Sequence, residues 1–299
     1  MNILITGCKG QLGRELVFYQ EAYTEHDYFN TDYEELDITD KEAVEKYVND
    51  NNIDGIINCA AYTAVDKAEH DITKAYQLNQ DGPRNLAQAI EKREGWMIHI
   101  STDYVFDGTH CVPYNEESAP SPKSVYGKSK LAGEEAVMEN CSKAIIIRTA
   151  WLYSEYGNNF LKTMLHLGQE RAELNVVFDQ IGTPTYAFDL ADAIMQIIYS
   201  ERFVPGVYHY TNEGVASWYD FAKEIMDIGR IDCKVNPIHT WEYPTDAYRP
   251  AYSVLDKQKI KDVYEISIPH WKTALRTCMQ AMYEMDEDNI KLFFNERFK

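Results

Sequence analysis

The chain has 299 residues, 45% of them hydrophobic and 26% charged, which is enough for one large globular domain or a two-lobed one. Its formal net charge of -19 disfavours nucleic acid and anionic membranes as partners, and no apolar run reaches the ~18 residues of a membrane span. The six cysteines have no C-x-x-C spacing, which argues against zinc or a disulfide framework, and the strand-like start lacks a signal-peptide pattern, so we expect a cytoplasmic protein.

Strand-like and helix-like segments alternate through the first half of the chain. We expect strands at 3–6, 27–31, 55–60, 96–101 and 144–148. We expect helices after Gly10, at 40–49, at 73–93 with a break near Gly82-Pro83, and at 124–140. This alternation predicts an α/β fold with a Rossmann-type, doubly wound parallel sheet.

The pattern becomes irregular after Trp151. Helical spacing recurs at 159–167, 189–199 and 218–228, and turn-rich segments separate these stretches. We therefore expect residues 1–150 to form a dinucleotide-binding Rossmann domain. Residues 151–299 are expected to form mainly a smaller C-terminal substrate-binding lobe, with some segments returning to the first domain.

Three glycines follow the first predicted strand. Glycines there let the chain turn tightly and let its backbone approach a pyrophosphate at the N-terminus of the next helix. The spacing G-x-x-G-x-x-G differs from the usual G-x-G-x-x-G, and glycines also fill ordinary turns, so the interpretation depends on the position after a strand. The cofactor-binding residues predicted from this loop are Gly7, Lys9, Gly10, Gln11, Leu12 and Gly13.

The residues beyond the loop leave the choice between NADPH and NADH open. Asp32 could bind a ribose 2′-hydroxyl and would then disfavour the 2′-phosphate of NADPH, but it also fits a solvated turn. Lys9 and Arg14 could instead favour that phosphate. Further cofactor contacts are predicted near the adenine and beyond the third strand, at Asp37, Ile38, Ala60, Ala61, Tyr62 and Thr63.

Tyr126 and Lys130 are four residues apart near the start of a predicted helix, so their side chains share one face. An ammonium group stabilises a nearby phenolate, and we expect the pKa of Tyr126 to fall from about 10 towards the working pH. Thr102 ends the preceding strand, at the edge where open α/β sheets bind ligands. The three residues indicate a nicotinamide enzyme acting on a carbon that bears oxygen; the alternative is a surface helix with an ordinary tyrosine and lysine.

Several longer motifs accompany these residues in a fixed order. They are AYTAVDKAE at 61–69, STDYVFDG at 101–108, YGKSK at 126–130, RTAWLY at 148–153, GNNF at 157–160, DQIGTPT at 179–185, and Arg249-Pro250 followed by Ser253, Leu255 and Asp256. Across nearly the whole chain this set resembles the extended short-chain dehydrogenase/reductase superfamily and, within it, the dTDP-4-dehydrorhamnose reductase family.

The resemblance implies that NADPH or NADH reduces a dTDP-linked 4-keto-6-deoxy sugar, dTDP-4-dehydrorhamnose, to dTDP-L-rhamnose for polysaccharide synthesis. It implies Thr102, Tyr126 and Lys130 as the catalytic residues, with Lys130 also binding the nicotinamide ribose. The residues that it places around the substrate are Asp103, Tyr104, Trp151, Asn159, Gln180 and Thr183. Trp151 could instead be a core residue, and Thr183 could belong to a simple turn.

Tyr104 separates this interpretation from the nucleotide-sugar 4,6-dehydratases of the same superfamily. Those enzymes carry Asp and then Glu after the catalytic threonine, whereas here Asp103 is followed by a tyrosine, which is a poor general base. Two alternatives stay open: a reductase or epimerase of another nucleotide-linked 4-keto sugar, and a non-catalytic regulatory binding subunit of the same fold. We expect a monomer or a homodimer.

Magnesium at a dimer interface is a weaker implication of the resemblance. Glu15 matches one ligand position, and Asp189 or Asp192 lies near a second. The C-terminal acids, which give no clear third ligand, are Glu284, Asp286 and Glu296. Magnesium needs several oxygen ligands in near-octahedral geometry. Solvated carboxylates are the simpler explanation in so acidic a protein, and no metal ligand is assigned.

Overall fold

A six-stranded parallel sheet organises the computed structural model, which describes residues 1–200 and 202–284. The twelve strands of those residues are β1 (Asn2–Thr6), β2 (Asp27–Thr31), β3 (Gly55–Asn58), β4 (Trp96–Thr102), β5 (Ala144–Thr149), β6 (Leu152–Tyr153), β7 (Glu173–Val177), β8 (Ile181–Gly182), β9 (Thr185–Tyr186), β10 (Gly206–His209), β11 (Ala216–Ser217) and β12 (Lys234–Ile238). The large sheet has the order β2-β1-β3-β4-β5-β10, and all its pairs are parallel. The predicted doubly wound α/β fold is confirmed. Its winding reverses between β1 and β3, where ligands of such sheets bind.

Helices cover both faces of this sheet. They are α1 (Gln11–Gln20), α2 (Lys41–Asp50), α3 (Val65–Ala68), α4 (Ile72–Tyr76), α5 (Gly82–Glu91), α6 (Val125–Asn140), α7 (Phe160–Glu170), α8 (Ala187–Tyr199), α9 (Trp218–Gly229), α10 (Gln258–Tyr264) and α11 (Trp271–Glu284). The alternation along β1 sets the two faces: Ile3 and Ile5 pack in the core under α1 and α8, and Leu4 packs under α2 and α5. Within the described part of the chain, no helix has the length and apolarity to cross a bilayer.

The second half of the chain contributes to two places. Strand β10 pairs with β5, with Gly206 opposite Ile145 and His209 opposite Arg148, so it forms an edge of the large sheet. Helices α7, α9 and α11 enclose a separate core that includes Leu161, Phe221 and Leu275. Strands β7 and β12 pair in parallel beside that core.

A π-helical turn, Gln77–Asp81, joins α4 to α5 within the predicted 73–93 helix. Gly82-Pro83 is therefore not a gap, because the backbone stays helical through Asp81 and Gly82, and Pro83 follows just after the π-helical turn. The turn carries Asn79, which is fully buried. Its side chain bonds the backbone N–H and C=O of Tyr62 at 2.8 and 3.1 Å and the Ser129 hydroxyl at 2.9 Å. The turn thereby fastens the loop after β3 to α6.

Candidate active site

A cavity of about 1070 Å³ lies at the carboxyl edge of the sheet, along the ends of β1, β3, β4 and β5. The predicted cofactor residues that line it are Gly7, Gly10, Gln11, Leu12, Gly13, Asp37, Ile38, Ala60, Ala61 and Thr63. The residues predicted for catalysis or for the sugar that line it are Thr102, Asp103, Tyr104, Tyr126, Lys130 and Trp151. One cavity therefore brings both sets together.

The glycine loop shapes one end of the cavity. Gly7 has φ +67°, and a Cβ built on it would lie 2.7 Å from the backbone nitrogen of Ala60. A Cβ on Gly13 would lie 2.2 Å from the carbonyl oxygen of Gly7, so no side chain fits at either position. Gly10 begins α1 without a side-chain cap, and N–H groups of such a first turn are available to an anion. The loop fits the pyrophosphate of a dinucleotide.

Asp32 closes the glycine loop and is not a free turn residue. Its Oδ2 accepts from the backbone N–H of Lys9 at 3.1 Å, and its Oδ1 accepts from that of Tyr33 at 2.8 Å. The ammonium of Lys9 donates to Glu34 and Glu35 at 2.9 and 3.0 Å. Asp32 lines the cavity, and Lys9 does not. The cavity end beyond β2 therefore carries acidic side chains, and Lys9 is already paired with two of them.

Helix α6 presents Tyr126 and Lys130 to the cavity. The Ser124 side chain caps the helix by accepting from the N–H of Gly127 at 3.1 Å, which fixes where the helix begins. The hydroxyl of Thr102 lies against the Tyr126 phenol. The Lys130 ammonium donates to the carbonyl oxygen of Ile100 at 2.6 Å. The three predicted catalytic side chains thus meet where β4 ends.

The predicted lowering of the Tyr126 pKa is wrong for the protein itself. Burial raises the pKa of this phenol well above its usual value, and the Thr102 hydroxyl opposes the rise only in part. Burial also lowers the pKa of Lys130 to about 8, because its charged form is desolvated. The Lys130 ammonium donates to the Ile100 carbonyl, and desolvation is the largest influence on the pKa of the phenol. Tyr126 therefore holds its proton at neutral pH, as a proton donor must.

Asp103 and Tyr104 follow Thr102 and form the wall opposite the glycine loop. Asp103 is 2% exposed and accepts from the Thr102 hydroxyl at 2.9 Å. Burial raises its pKa to about 6, against hydrogen bonds that lower it. The Tyr104 ring meets the Tyr126 ring edge-on, with centroids 5.4 Å apart. These contacts tie the wall to the Tyr126 ring.

Trp151 lines the cavity at the end of β5, although it could have been a core residue. Its backbone has φ +50°, a strained conformation for a large side chain. Its ring lies between Gly182, where a Cβ would be 2.7 Å away, and Trp218, on which it stacks at 3.6 Å and 9°. Trp218 was not predicted as a site residue, because an aromatic residue at the start of a helix is most often part of the core.

Four other predicted residues do not line the cavity, namely Tyr62, Asn159, Gln180 and Thr183. Asn159 caps α7 and donates to the Gln11 side chain at 2.9 Å, so it supports a lining residue from behind. Gln180 donates to the Thr240 hydroxyl at 3.2 Å, and Thr183 donates to the Gly214 carbonyl at 2.9 Å. Asn79, which holds Tyr62, was also missed; its only signal is a polar residue inside an apolar helix pattern.

The acids considered for magnesium do not assemble a site in the described residues, which hold no group of three or more ligand side chains. Glu15 is buried beside Glu155, and burial together with that neighbour raises its pKa. Asp189 is held by the Asn212 amide at 2.6 Å. Glu284 is exposed at the end of α11, and two acids lie outside the described residues, Asp286 and Glu296. These acids give no magnesium site among the described residues, so no step is derived through this metal.

Comparison with known proteins agrees with this geometry. A family model described as RmlD substrate binding domain matches residues 1–284. The dTDP-4-dehydrorhamnose reductase of Aggregatibacter actinomycetemcomitans is 43% identical, over 92% of this chain and 97% of the relative. The chain belongs to the dTDP-4-dehydrorhamnose reductase family.

Solved structures of the family share the fold throughout. The Clostridium acetobutylicum reductase superposes with a TM-score of 0.91 at 44% identity, covering 95% of this chain and 100% of that one. The Bacillus anthracis reductase, solved in complex with NADP, gives a TM-score of 0.88 at 41% identity, covering 94% and 99%. The family's fold is thus preserved over both the cavity and the second core.

Proposed function

We propose that this chain reduces the 4-keto group of dTDP-4-dehydrorhamnose to give dTDP-L-rhamnose, with NADH or NADPH as the reductant. The observation that carries the proposal is the meeting of Thr102, Tyr126 and Lys130 in a cavity that also contains the glycine loop. Membership of the family supplies the substrate class. A binding subunit would not need a buried proton donor beside a buried lysine, so an enzyme is favoured over the regulatory alternative.

Each residue has a distinct task in this reduction. Bound nicotinamide supplies a hydride to the carbonyl carbon. Tyr126 donates its phenolic proton to the carbonyl oxygen, and its raised pKa keeps the phenol protonated at neutral pH before the transfer. Thr102, whose hydroxyl donates to Asp103 in the structure, would turn that proton to the same oxygen and orient it. Lys130, charged below a pKa of about 8, binds the nicotinamide ribose and stabilises the phenolate that the proton transfer leaves.

The two cores support a division of labour along the chain. In this proposal residues 1–150, completed by α8 and β10, hold the cofactor. The core of α7, α9 and α11 supports the sugar side through Trp218 and Trp151. Asn159 supports Gln11 of the glycine loop, while Gln180 and Thr183 bond residues that do not line the cavity. A monomer and a homodimer both fit this arrangement.

NADH is the cofactor that the charges favour. Asp32 and its neighbours Glu34 and Glu35 surround Lys9, so a 2′-phosphate would meet excess negative charge. Arg14 donates to the Lys9 carbonyl at 3.2 Å and lies over an aromatic ring, so it is held by the protein. The Bacillus anthracis relative is described in complex with NADP, which makes NADPH the comparison to assay.

A double substitution tests the cofactor preference. The Glu34→Gln/Glu35→Gln variant frees Lys9 for a phosphate and is expected to raise kcat/KM for NADPH relative to NADH by about tenfold or more. Glu45→Gln is the matched control, because Glu45 is also paired with a lysine, Lys92, at 2.8 Å. If the ratio of kcat/KM for NADPH to kcat/KM for NADH is unchanged in the double variant, the charges around Lys9 do not set the cofactor preference.

The activity itself is tested by the loss of reduced-nicotinamide absorbance with dTDP-4-dehydrorhamnose made in situ by the upstream enzymes. Oxidation coupled to formation of dTDP-L-rhamnose supports the proposal. Oxidation only with another dTDP-linked 4-keto sugar would reassign the substrate. Cofactor binding without oxidation of any 4-keto sugar would favour the regulatory subunit.

A further inference from the structure

Residues 247–253, which we call the strap, run from α3 to β8 past the sugar end of the cavity. The N–H of Ala247 donates to Asp66 of α3 at 3.0 Å. At the other end, Ile181 of β8 exchanges backbone hydrogen bonds with Ala251 and Ser253 at 2.8 and 2.7 Å. The strap therefore joins a helix of the cofactor side to the strand that underlies Trp151.

Arg249 is the only charged residue of the strap. Its Nη2 donates to the carboxylate of Asp66 at 2.5 Å, and its Nη1 donates to the phenolic oxygen of Tyr104 at 2.9 Å. Its side chain is 21% exposed. Pro250 packs closely on Gly108, where a Cβ would lie 2.5 Å from the proline ring. A planar guanidinium can bridge two acceptors in this way, whereas a lysine ammonium is less directional.

These contacts hold Tyr104 at both its side chain and its backbone. Its ring edge meets Tyr126, and its carbonyl oxygen is so close to Gly127 that a Cβ there would be 2.2 Å away. Arg249 offers only donors, so the phenolic oxygen of Tyr104 accepts, and its own proton is left to donate. Tyr104 lines the cavity, and an oxygen of the sugar is the acceptor that such a proton suits.

We propose that Arg249 is a positioning residue that, paired with Asp66, orients the Tyr104 hydroxyl as a hydrogen-bond donor to the sugar and holds its ring against Tyr126. The inference rests on the proposed function and assigns a role to two motif residues, Asp66 and Arg249, that the reduction itself does not use. The charge pair sets geometry and takes no part in proton transfer.

The test compares Arg249→Met, Tyr104→Phe and their double variant. Each single substitution is expected to lower kcat/KM for the 4-keto sugar by about tenfold to a hundredfold, because the sugar is misplaced relative to the proton donor. The dissociation constant of NADH is expected to stay unchanged. The double variant is expected to be no worse than the more damaging single variant, because Arg249 acts through Tyr104.

Two further variants keep the test sharp. Arg249→Lys is expected to recover part of the lost activity, and Asp66→Asn is expected to weaken activity in the same direction. Arg276→Met is the matched control, because Arg276 is also paired with an acid, Glu224, but is 60% exposed and does not line the cavity. If Arg249→Met fails to fold, the lysine and asparagine variants still report on the contact.

The outcomes separate this inference from the proposed function. Effects of Arg249→Met and Tyr104→Phe that multiply in the double variant would overturn the inference while leaving the reductase intact. A fall in melting temperature with unchanged kcat/KM would also overturn it. The binding of dTDP-L-rhamnose is measured by calorimetry in parallel. A wild-type chain without turnover would refute the proposed function. The loss of affinity for dTDP-L-rhamnose in Arg249→Met would still test the contact.

Discussion

Replacing Glu134 by glutamine should damage both stability and the charge state of Lys130. Glu134 is 3% exposed and lies one turn after Lys130 on α6. Its two oxygens accept from Arg148 at 2.6–3.2 Å and from the Ser101 hydroxyl at 2.5 Å. An amide in its place leaves the charge of the Arg148 guanidinium unneutralised. It also turns an N–H donor towards the Arg148 and Ser101 groups, which are themselves donors. Breaking a buried ion pair in this way costs about 3–5 kcal/mol in the free energy of unfolding.

Urea denaturation followed by fluorescence measures this loss. The control is Asp50→Asn, which removes an exposed pair with Lys46 and should cost at most about 1 kcal/mol. A second readout is the pH dependence of NADH binding. Burial lowers the pKa of Lys130 to about 8, and the charge of Glu134 opposes that lowering. Without that charge the pKa of Lys130 should fall further, so the variant should lose NADH affinity at a lower pH than the wild type. Equal losses of stability in the two variants, with no shift in pH dependence, would refute the reasoning.

Tyr126→Phe should lower turnover by about 10²- to 10⁴-fold because the proton donor is gone, while calorimetry shows an unchanged NADH affinity; near-normal turnover would exclude Tyr126 as the donor. In the wild type, NADH affinity should fall as pH rises through about 8, since Lys130 then loses its charge. Lys130→Arg stays charged and should lack that limb; a limb that persists would point to another group. Trp218→Leu should abolish the exciton band of the tryptophan pair in circular dichroism and raise KM for the sugar, and an unaltered KM would dismiss Trp218 as a support for Trp151.

Local signals were enough to predict the elements that carry the candidate site. Strand β2 has the predicted bounds, Asp27–Thr31, and α6 begins one residue after Ser124, which caps it. The glycine loop was predicted from its position after β1, and the structure leaves no room for a side chain at Gly7 or Gly13. The bounds of these elements depend on residues that are neighbours in the sequence or one helical turn apart, whereas the backbone that excludes a side chain at Gly7 belongs to Ala60.

The remainder depends on contacts between distant residues. The direction of the Tyr126 pKa follows from burial, which the i, i+4 spacing to Lys130 does not reveal. Trp151 stacks on a residue of α9, and Asn159 reaches back to Gln11 of α1. Thr183 has the hydroxyl expected of a pocket residue but bonds a backbone carbonyl instead. Sequence spacing places side chains on a face but does not say what covers them.

The position of β10 has a consequence for synthesis on the ribosome. Its neighbour β5 is buried along all six residues and carries Ile145, Ile146 and Ile147, yet β10 emerges more than fifty residues later. Until Gly206–His209 has left the exit tunnel, the nascent chain carries an apolar strand with an unpaired backbone edge, which is a template for aggregation. A fragment ending at residue 150 should therefore precipitate, and chaperone engagement should persist until the second half of the polypeptide has been translated.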